Sequence, residues 1–372
     1  MKTADLIIAA GDASADMRYA TGFSTSDAYI WLRVDGKCMM LVSALEFDRA
    51  RNERKKHVEV LRDTDFTALV RPSFADTVLG VASKFGIGTF RVPASFPLGI
   101  ADHLRAGGLK LIAEENAFFP ERELKDADEI RLITDALRLA EKAVMHAKEV
   151  IGSCSVGNDG VLLYQGEVFT SEILRREIDL ILAAGGAMPT GTIAAAGIHA
   201  ACPHDRGSGP IRAGEPIVMD VFPRMLKSGY WGDLTRTVVK GKPADVVQRA
   251  FDAVCKARDA AKKSLGPGVV PGAVHRAAEA SMTADGFPTG RQENGSYYGF
   301  FHGLGHGVGL DIHELPHLNP RGVRPLRGGE VITVEPGLYY PEWGGIRMED
   351  MVVITPDGAE CLTQINSDFV IE

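Results

Sequence analysis

Four acidic residues occupy positions where acids are costly. Asp220 interrupts Ile217-Val218-Met219-Asp220-Val221-Phe222, Asp233 precedes Leu234, Glu335 follows Val331-Ile332-Thr333-Val334, and Glu349 ends Ile346-Arg347-Met348-Glu349. A buried carboxylate is destabilising unless a cation or a metal compensates it. Register arithmetic brings these acids together in pairs. If Asp220 faces Asp233 across a hairpin, the turn centres between Leu226 and Lys227, where Met225-Leu226-Lys227-Ser228-Gly229 breaks the strand pattern. For Glu335 and Glu349 the turn centres on Glu342, inside Pro341-Glu342-Trp343-Gly344-Gly345. Cross-strand neighbours lie about 4.5 to 5.5 Å apart at Cβ, and two carboxylates so close resist ionising together. Two divalent cations remove the conflict. Any one of the acids alone reads as an edge residue or a satisfied polar group; the four together do not.

A fifth donor is available in Phe301-His302-Gly303-Leu304-Gly305-His306-Gly307-Val308-Gly309-Leu310. The His-x-x-x-His spacing is that of the zinc-protease helix, but Gly303 stands where that motif has Glu, and four alternating glycines oppose a helix. The segment therefore reads as extended backbone beside a site, with one histidine a ligand and another lining the pocket. Oxygen and imidazole donors without thiolate suit Mn²⁺, Co²⁺ or Zn²⁺. Among the other histidines, His199 reads as a structural or rim residue and His275 as a helix-face residue. Arg347 reads as a cross-strand ion pair or, two residues before Glu349, as a support behind the ligands.

The elements that must position these groups fall into two parts. Residues 1–122 alternate strand-like and helix-like stretches: a hairpin through Asp35-Gly36, a helix over 74–85, a strand near 88–92, a short helix near 98–105 and a strand at 110–113. The second part, 123–372, opens on the clearest helix. Asp126 and Glu129 form its start signal, and Ile130, Ile133, Leu137, Ala140, Val144, Ala147 and Ile151 recur every three or four residues. Helices from about 170 to 185 and from 243 to 266 follow, with strand-like runs at 216–223, 229–239, 330–335 and 345–354.

Composition bounds the partners. Forty-one Lys plus Arg against 49 Asp plus Glu give a net charge of -8, and no Lys/Arg-rich stripe offers the basic surface that nucleic acid requires. The one basic run, residues 51–56, reads as a solvated helix face. Five cysteines at wide, irregular spacing fit a reduced, cytoplasmic protein. No apolar run approaches the 18 or so residues of a membrane span, so neither a membrane partner nor export is expected.

The segments Met219-Asp220, 229–237, 302–314, 333–339 and 347–350 together resemble the pita-bread metallopeptidases, peptidase family M24, which include proline dipeptidase, aminopeptidase P and methionine aminopeptidase. The resemblance covers residues 123–372. Residues 15–23, Ala-Asp-Met-Arg-Tyr-Ala-Thr-Gly-Phe, resemble the opening of the creatinase-type domain that precedes the catalytic domain in the first two. The resemblance implies an N-terminal creatinase-type α/β domain and a C-terminal pita-bread α+β domain, an antiparallel sheet flanked by helices. It also implies a homodimer and two divalent ions, Mn²⁺ first among them, held by Asp220, Asp233, His306, Glu335 and Glu349. His204 and His313 match histidines that contact substrate, with Glu335 as the proton shuttle; His302, His317 and Arg347 complete the substrate-binding set. Arg18, Tyr19 and Trp31 are expected as core or dimer contacts.

The expected activity is hydrolysis of the bond before proline in Xaa-Pro dipeptides or short Xaa-Pro peptides. The stretch from Asp220 to Asp233 is two residues longer than in many relatives. His317 stands where some proline dipeptidases carry an arginine for the dipeptide carboxylate, leaving Arg321 or Arg324 to supply that charge, so cleavage of tripeptides as well is expected. Two other readings share the fold: a metal-free binding protein, and a metal-retaining creatinase-like hydrolase or lyase acting on a small non-peptide substrate. Five intact ligand positions weigh against both.

Overall fold

Asp35 and Gly36 both take positive φ, 51° and 76°, the conformation of a tight two-residue hairpin turn. They join the antiparallel strands Ala28–Val34 and Lys37–Val42. The structure, a computed structural model, describes every residue except 68, 70 and 71. It divides into two units, Met1–Arg122 and Glu123–Glu372.

In the first unit six strands run in the spatial order Val58–Arg62, Lys37–Val42, Ala28–Val34, Lys2–Ala10, Ile87–Pro93, Lys110–Glu114. Alternation along the central strands sends Leu6, Ile8, Ile30 and Leu32 to one face, against residues of the helix Phe74–Phe85 such as Val78 and Val81. Ile7, Trp31 and Met40 go to the other, against Met17, Phe118 and Phe119. Arg18 and Trp31 are accordingly buried within this unit. The central strand Lys2–Ala10 and the helix Ala15–Thr21 have weak sequence signals, because one is a short apolar run and the other a helix of two turns. The basic run lies on and after the exposed end of the helix Phe47–Glu53.

The second unit opens on Ala127–Ser153, where the Asp126 carboxylate accepts the Glu129 N–H and the Glu129 carboxylate accepts the Asp126 N–H, satisfying two otherwise orphaned donors. Thr170 caps Ser171–Ala184 with a single bond, its hydroxyl accepting the Ile173 N–H at 3.3 Å. The helix expected from residue 243 begins at Asp245 and runs to Ser264, with Ala244 extended as its cap. Pro271–Ala284 is an additional helix. Two mainly antiparallel sheets lie with these helices: a four-stranded one of Ile193–Ala196, Pro216–Val221, Leu234–Lys240 and Val370–Ile371, and a five-stranded one centred on Val331–Val334.

Two strand expectations need correction. The run expected from 229 becomes strand only at Leu234, because residues 225–230 form the hairpin's loop, closed by the Met225 N–H on the Tyr230 carbonyl. The run 345–354 breaks at Met348-Glu349 into Gly344–Arg347 and Asp350–Thr355. There the chain leaves its first partner strand, Gly337–Tyr340, for its second, Val331–Val334.

Candidate metal centre

Glu335 and Glu349 face each other at that break. Gly337 pairs with Arg347 on one side and Val334 with Asp350 on the other, so a single register runs through both ladders and sets 335 opposite 349, with the turn centred on Glu342 as the sequence predicts. The other pair differs. Asp220 pairs with Thr235, and the bridge between Arg224 and Trp231 continues that register, which centres the turn one residue later than expected and sets Asp233 opposite Phe222. The slip of two positions preserves side-chain parity. Asp220 and Asp233 are therefore diagonal neighbours on one face rather than directly opposed.

The fifth donor comes from the strand Gly305–Gly307, extended as the glycine pattern predicts. A Cβ on Gly305 would collide with the Thr333 carbonyl oxygen, so glycine there lets this strand pack tightly and bring His306 inward. Nδ1–H of His306 donates to the Gly307 carbonyl at 3.1 Å. That leaves Nε2 free as a donor atom, 3.3 Å from Glu335 Oε1 and 3.6 Å from Asp233 Oδ2. Asp233, His306 and Glu349 each offer an atom within 4.8 Å of the others.

The electrostatics of this cluster suit a bound cation. Burial first, and then the neighbouring carboxylates Glu349, Asp220 and Glu335, push Asp233 well above the usual carboxylate range. Glu349 is raised in the same way, by burial and then by Glu335 and Asp220. Burial lifts Glu335 to about 7 against the opposing pull of Arg347. Burial also holds His306 down at about 4, the neutral form that ligates metal. Glu349 is 1% exposed; its Oε2 accepts the Thr235 hydroxyl at 2.8 Å, while Oε1 is buried without a hydrogen-bond partner. An orphaned anionic oxygen among converging carboxylates and an imidazole is what a bound divalent ion would satisfy. The residues fit the metal.

The remaining predicted residues line one cavity of about 430 Å³ with these five: His204, His302, His313, His317 and Arg347. The His313 ring meets that of His306 edge to face, with centroids 4.4 Å apart, and partial burial together with the neighbouring His306 and His204 lowers it to about 4. His302 lines the cavity with its polar atoms turned to the protein. Its Nδ1–H donates to the Gly303 carbonyl at 2.7 Å and its Nε2 accepts from the Tyr339 hydroxyl at 2.9 Å, so both nitrogens are engaged within the protein. Arg347 is likewise committed. It donates to Asp220 Oδ2 at 2.7 Å, to the Thr235 hydroxyl at 3.2 Å and to the Tyr339 hydroxyl at 2.9 Å, which makes it a support behind the ligands. Arg321 and Arg324 both lie outside the cavity lining; Arg321 is exposed, and Arg324 pairs with Glu330 at 2.7 Å and Glu123 at 3.0 Å. His199 pairs with Asp205, and His275 is a buried helix residue stacked on Phe300.

Thr235, Thr333, Tyr339 and Arg236 support the site without any role having been read for them in the sequence. Thr333 Oγ1 accepts the His306 N–H at 3.0 Å and donates to Glu335 at 3.3 Å. Arg236 is buried and pairs with Asp350 at 2.9 Å behind Glu349. Parity was the available signal, because Thr235 and Thr333 each lie two residues from a ligand on the same strand face.

Arg347→Met is expected to cost about 3–5 kcal/mol, since it strands Asp220 without its countercharge, and to weaken metal binding about 10–100-fold. Urea unfolding and metal titration measure these. Intact metal affinity with lost substrate binding would return Arg347 to the substrate.

Hard oxygen donors and one imidazole, gathered where two β-ladders meet, define a metal-centre class with no thiolate. The profile of metallopeptidase family M24 matches residues 131–356, and the chain belongs to that family, whose members hold divalent metal ions. It is similar to a Xaa-Pro dipeptidase of Pyrococcus horikoshii, 28% identical over 336 residues, covering 89% of this chain and 85% of that protein. To a Xaa-Pro dipeptidase of Pyrococcus furiosus it is 32% identical over 252 residues, 67% of this chain and 65% of that protein. Among solved structures, an X-Pro aminopeptidase from Thermotoga maritima superposes with a TM-score of 0.84 at 26% identity, covering 100% of this chain and 98% of that one.

Proposed function

We infer that this chain is a dinuclear-metal exopeptidase that hydrolyses the bond before proline in Xaa-Pro dipeptides and short Xaa-Pro peptides. The observation that carries the metal-dependent part is the unpartnered Glu349 oxygen within the cluster of Asp233, His306 and Glu349; the preference for proline rests on the similar proteins. Asp220, Asp233, His306, Glu335 and Glu349 would hold two divalent ions, with Mn²⁺ as the first candidate. When bound, such ions lower the pKa of water from 15.7 towards about 7 and polarise the scissile carbonyl.

The chain's own groups do the rest. Glu335 takes the proton of the attacking water and delivers it to the leaving proline nitrogen. His204 and His313 steady the substrate carbonyl as it gains negative charge. Asp220 receives the free amine, and His302 contributes a ring wall to the cavity. The implied homodimer and cytoplasmic setting belong to this reading. No helix among the described residues is long and apolar enough to cross a membrane.

Chelation is expected to abolish cleavage of Ala-Pro, and Mn²⁺ or Co²⁺ to restore it; full activity in a metal-stripped preparation would sink the reading. Peptide length follows from the cavity's charges. Its lining guanidinium, Arg347, is already spent on Asp220, Arg324 is spent on Glu330, and Arg321 is exposed outside the lining. A dipeptide carboxylate therefore forgoes a charged hydrogen bond worth roughly 1.5–3 kcal/mol. Ala-Pro-Ala is expected to match or exceed Ala-Pro in kcat/KM, and a hundredfold preference for the dipeptide would refute this.

A further inference from the structure

The loop carrying His313 is held by a buried ion pair that no step of the reaction uses. Glu314, directly after His313, opens the strand Glu314–Leu318, and its carboxylate folds back over residues 309–313. Oε1 accepts from Lys125 Nζ at 2.5 Å, and Oε2 lies 3.5 Å from the Asp311 N–H. The Lys125 side chain is 2% exposed and that of Glu314 is 11% exposed. A Cβ on Gly309 would fall on the Glu314 carboxylate, so the glycine leaves room for this packing. Lys125 is itself fixed, its N–H donating to the Gly329 carbonyl at 2.8 Å, and Asp126 beside it caps the long helix. Trp231, two residues before Asp233, grips the same loop. Its backbone N–H donates to the Gly309 carbonyl at 2.9 Å, and its indole N–H to the Leu310 carbonyl at 3.0 Å.

A buried ion pair contributes little net stability, because desolvation offsets much of the attraction, whereas it fixes one arrangement of its partners. We propose that Lys125 and Glu314 are positioning residues for the reaction, setting the His313 imidazole against the substrate carbonyl. This rests on the peptidase reading, in which His313 contacts substrate. A displacement of about 1 Å at a catalytic group costs about 10²-fold in rate, so a lost pair is felt in kcat before it is felt in the metal.

The test is a double-mutant cycle on the metal-loaded full chain. Lys125→Met is expected to lower kcat on Ala-Pro-Ala about tenfold to a hundredfold, with metal content and KM within about twofold of the wild type, and Lys125→Arg to recover most of the rate. In a His313→Ala background, Lys125→Met is expected to cost less than about twofold further. The same loss in both backgrounds, or a loss that tracks missing metal, would overturn the proposal. If Lys125→Met does not fold, the isosteric Glu314→Gln runs the same cycle. If the wild type cleaves no Xaa-Pro peptide, the function fails separately and the pair is judged by the His313 ring resonances: displaced in Lys125→Met they support it, unmoved they refute it.

Discussion

Glu349→Gln is expected to lower Xaa-Pro cleavage by about 10³-fold or more, without rescue by excess Mn²⁺. The argument turns on which way the new amide must point. The Thr235 hydroxyl accepts from Arg347 Nε and donates to Glu349 Oε2, so its one proton is directed at residue 349. The glutamine must meet it with its carbonyl oxygen, which aims the NH₂ group at the place where Oε1 lies unpartnered. A donor then occupies a ligand's position. Water left near its ordinary pKa of 15.7 is a poor nucleophile at neutral pH. Asp233→Asn is expected to act in the same direction. The stability effect has the opposite sign in the absence of metal, because one of the mutually repelling carboxylates is gone. Metal-free Glu349→Gln is therefore expected to resist urea at least as well as the metal-free wild type. Metal content, cleavage rate and urea midpoint, measured together, check it; a fully metallated variant with wild-type rate would remove Glu349 from the ligand set.

What the sequence made legible follows from which signals are local. The helix beginning after Asp126 was readable to its cap, because capping chemistry and a 3.6-residue period are properties of contiguous residues. Opposition of Glu335 and Glu349 was readable because the interval between them folds as one hairpin whose register continues into the next ladder. The Asp220 register was misread by two, since the residues between the strands are set by loop hydrogen bonds from Met225 and Gly229 that leave no periodic trace. Only side-chain parity, which a slip of two conserves, kept the acids on one face. Arg347 and His302 show the other limit. Whether a polar side chain in a cavity wall faces substrate or is consumed by its neighbours depends on Tyr339 and Asp220, which lie far from His302 in sequence. Lys125 and Glu314, 189 positions apart, pair through tertiary structure alone.

Glu335→Gln is expected to separate proton transfer from ligation. Thr333 Oγ1 accepts the His306 N–H, so its proton goes to Glu335 Oε1, the oxygen that also lies 3.3 Å from His306 Nε2. A glutamine keeps its carbonyl oxygen at that position, because only an acceptor suits the Thr333 hydroxyl. The amide NH₂ is thereby directed to the other oxygen's place, away from the shared contact. Metal occupancy should accordingly survive better than in Glu349→Gln, where the orientation is reversed. An amide cannot take up and release the proton that passes from water to the proline nitrogen, and loss of a positioned general acid–base group typically costs about 10²–10⁴ in rate. The expected result is a fall of that size in kcat at saturating Mn²⁺, with KM changed far less. Glu335→Asp retains the carboxylate one methylene short of its place and should retain more activity than Glu335→Gln. Metal stoichiometry measured alongside kcat decides between the roles: a rate loss matched by an equal loss of bound metal would leave Glu335 a ligand only, with the proton carried by another group.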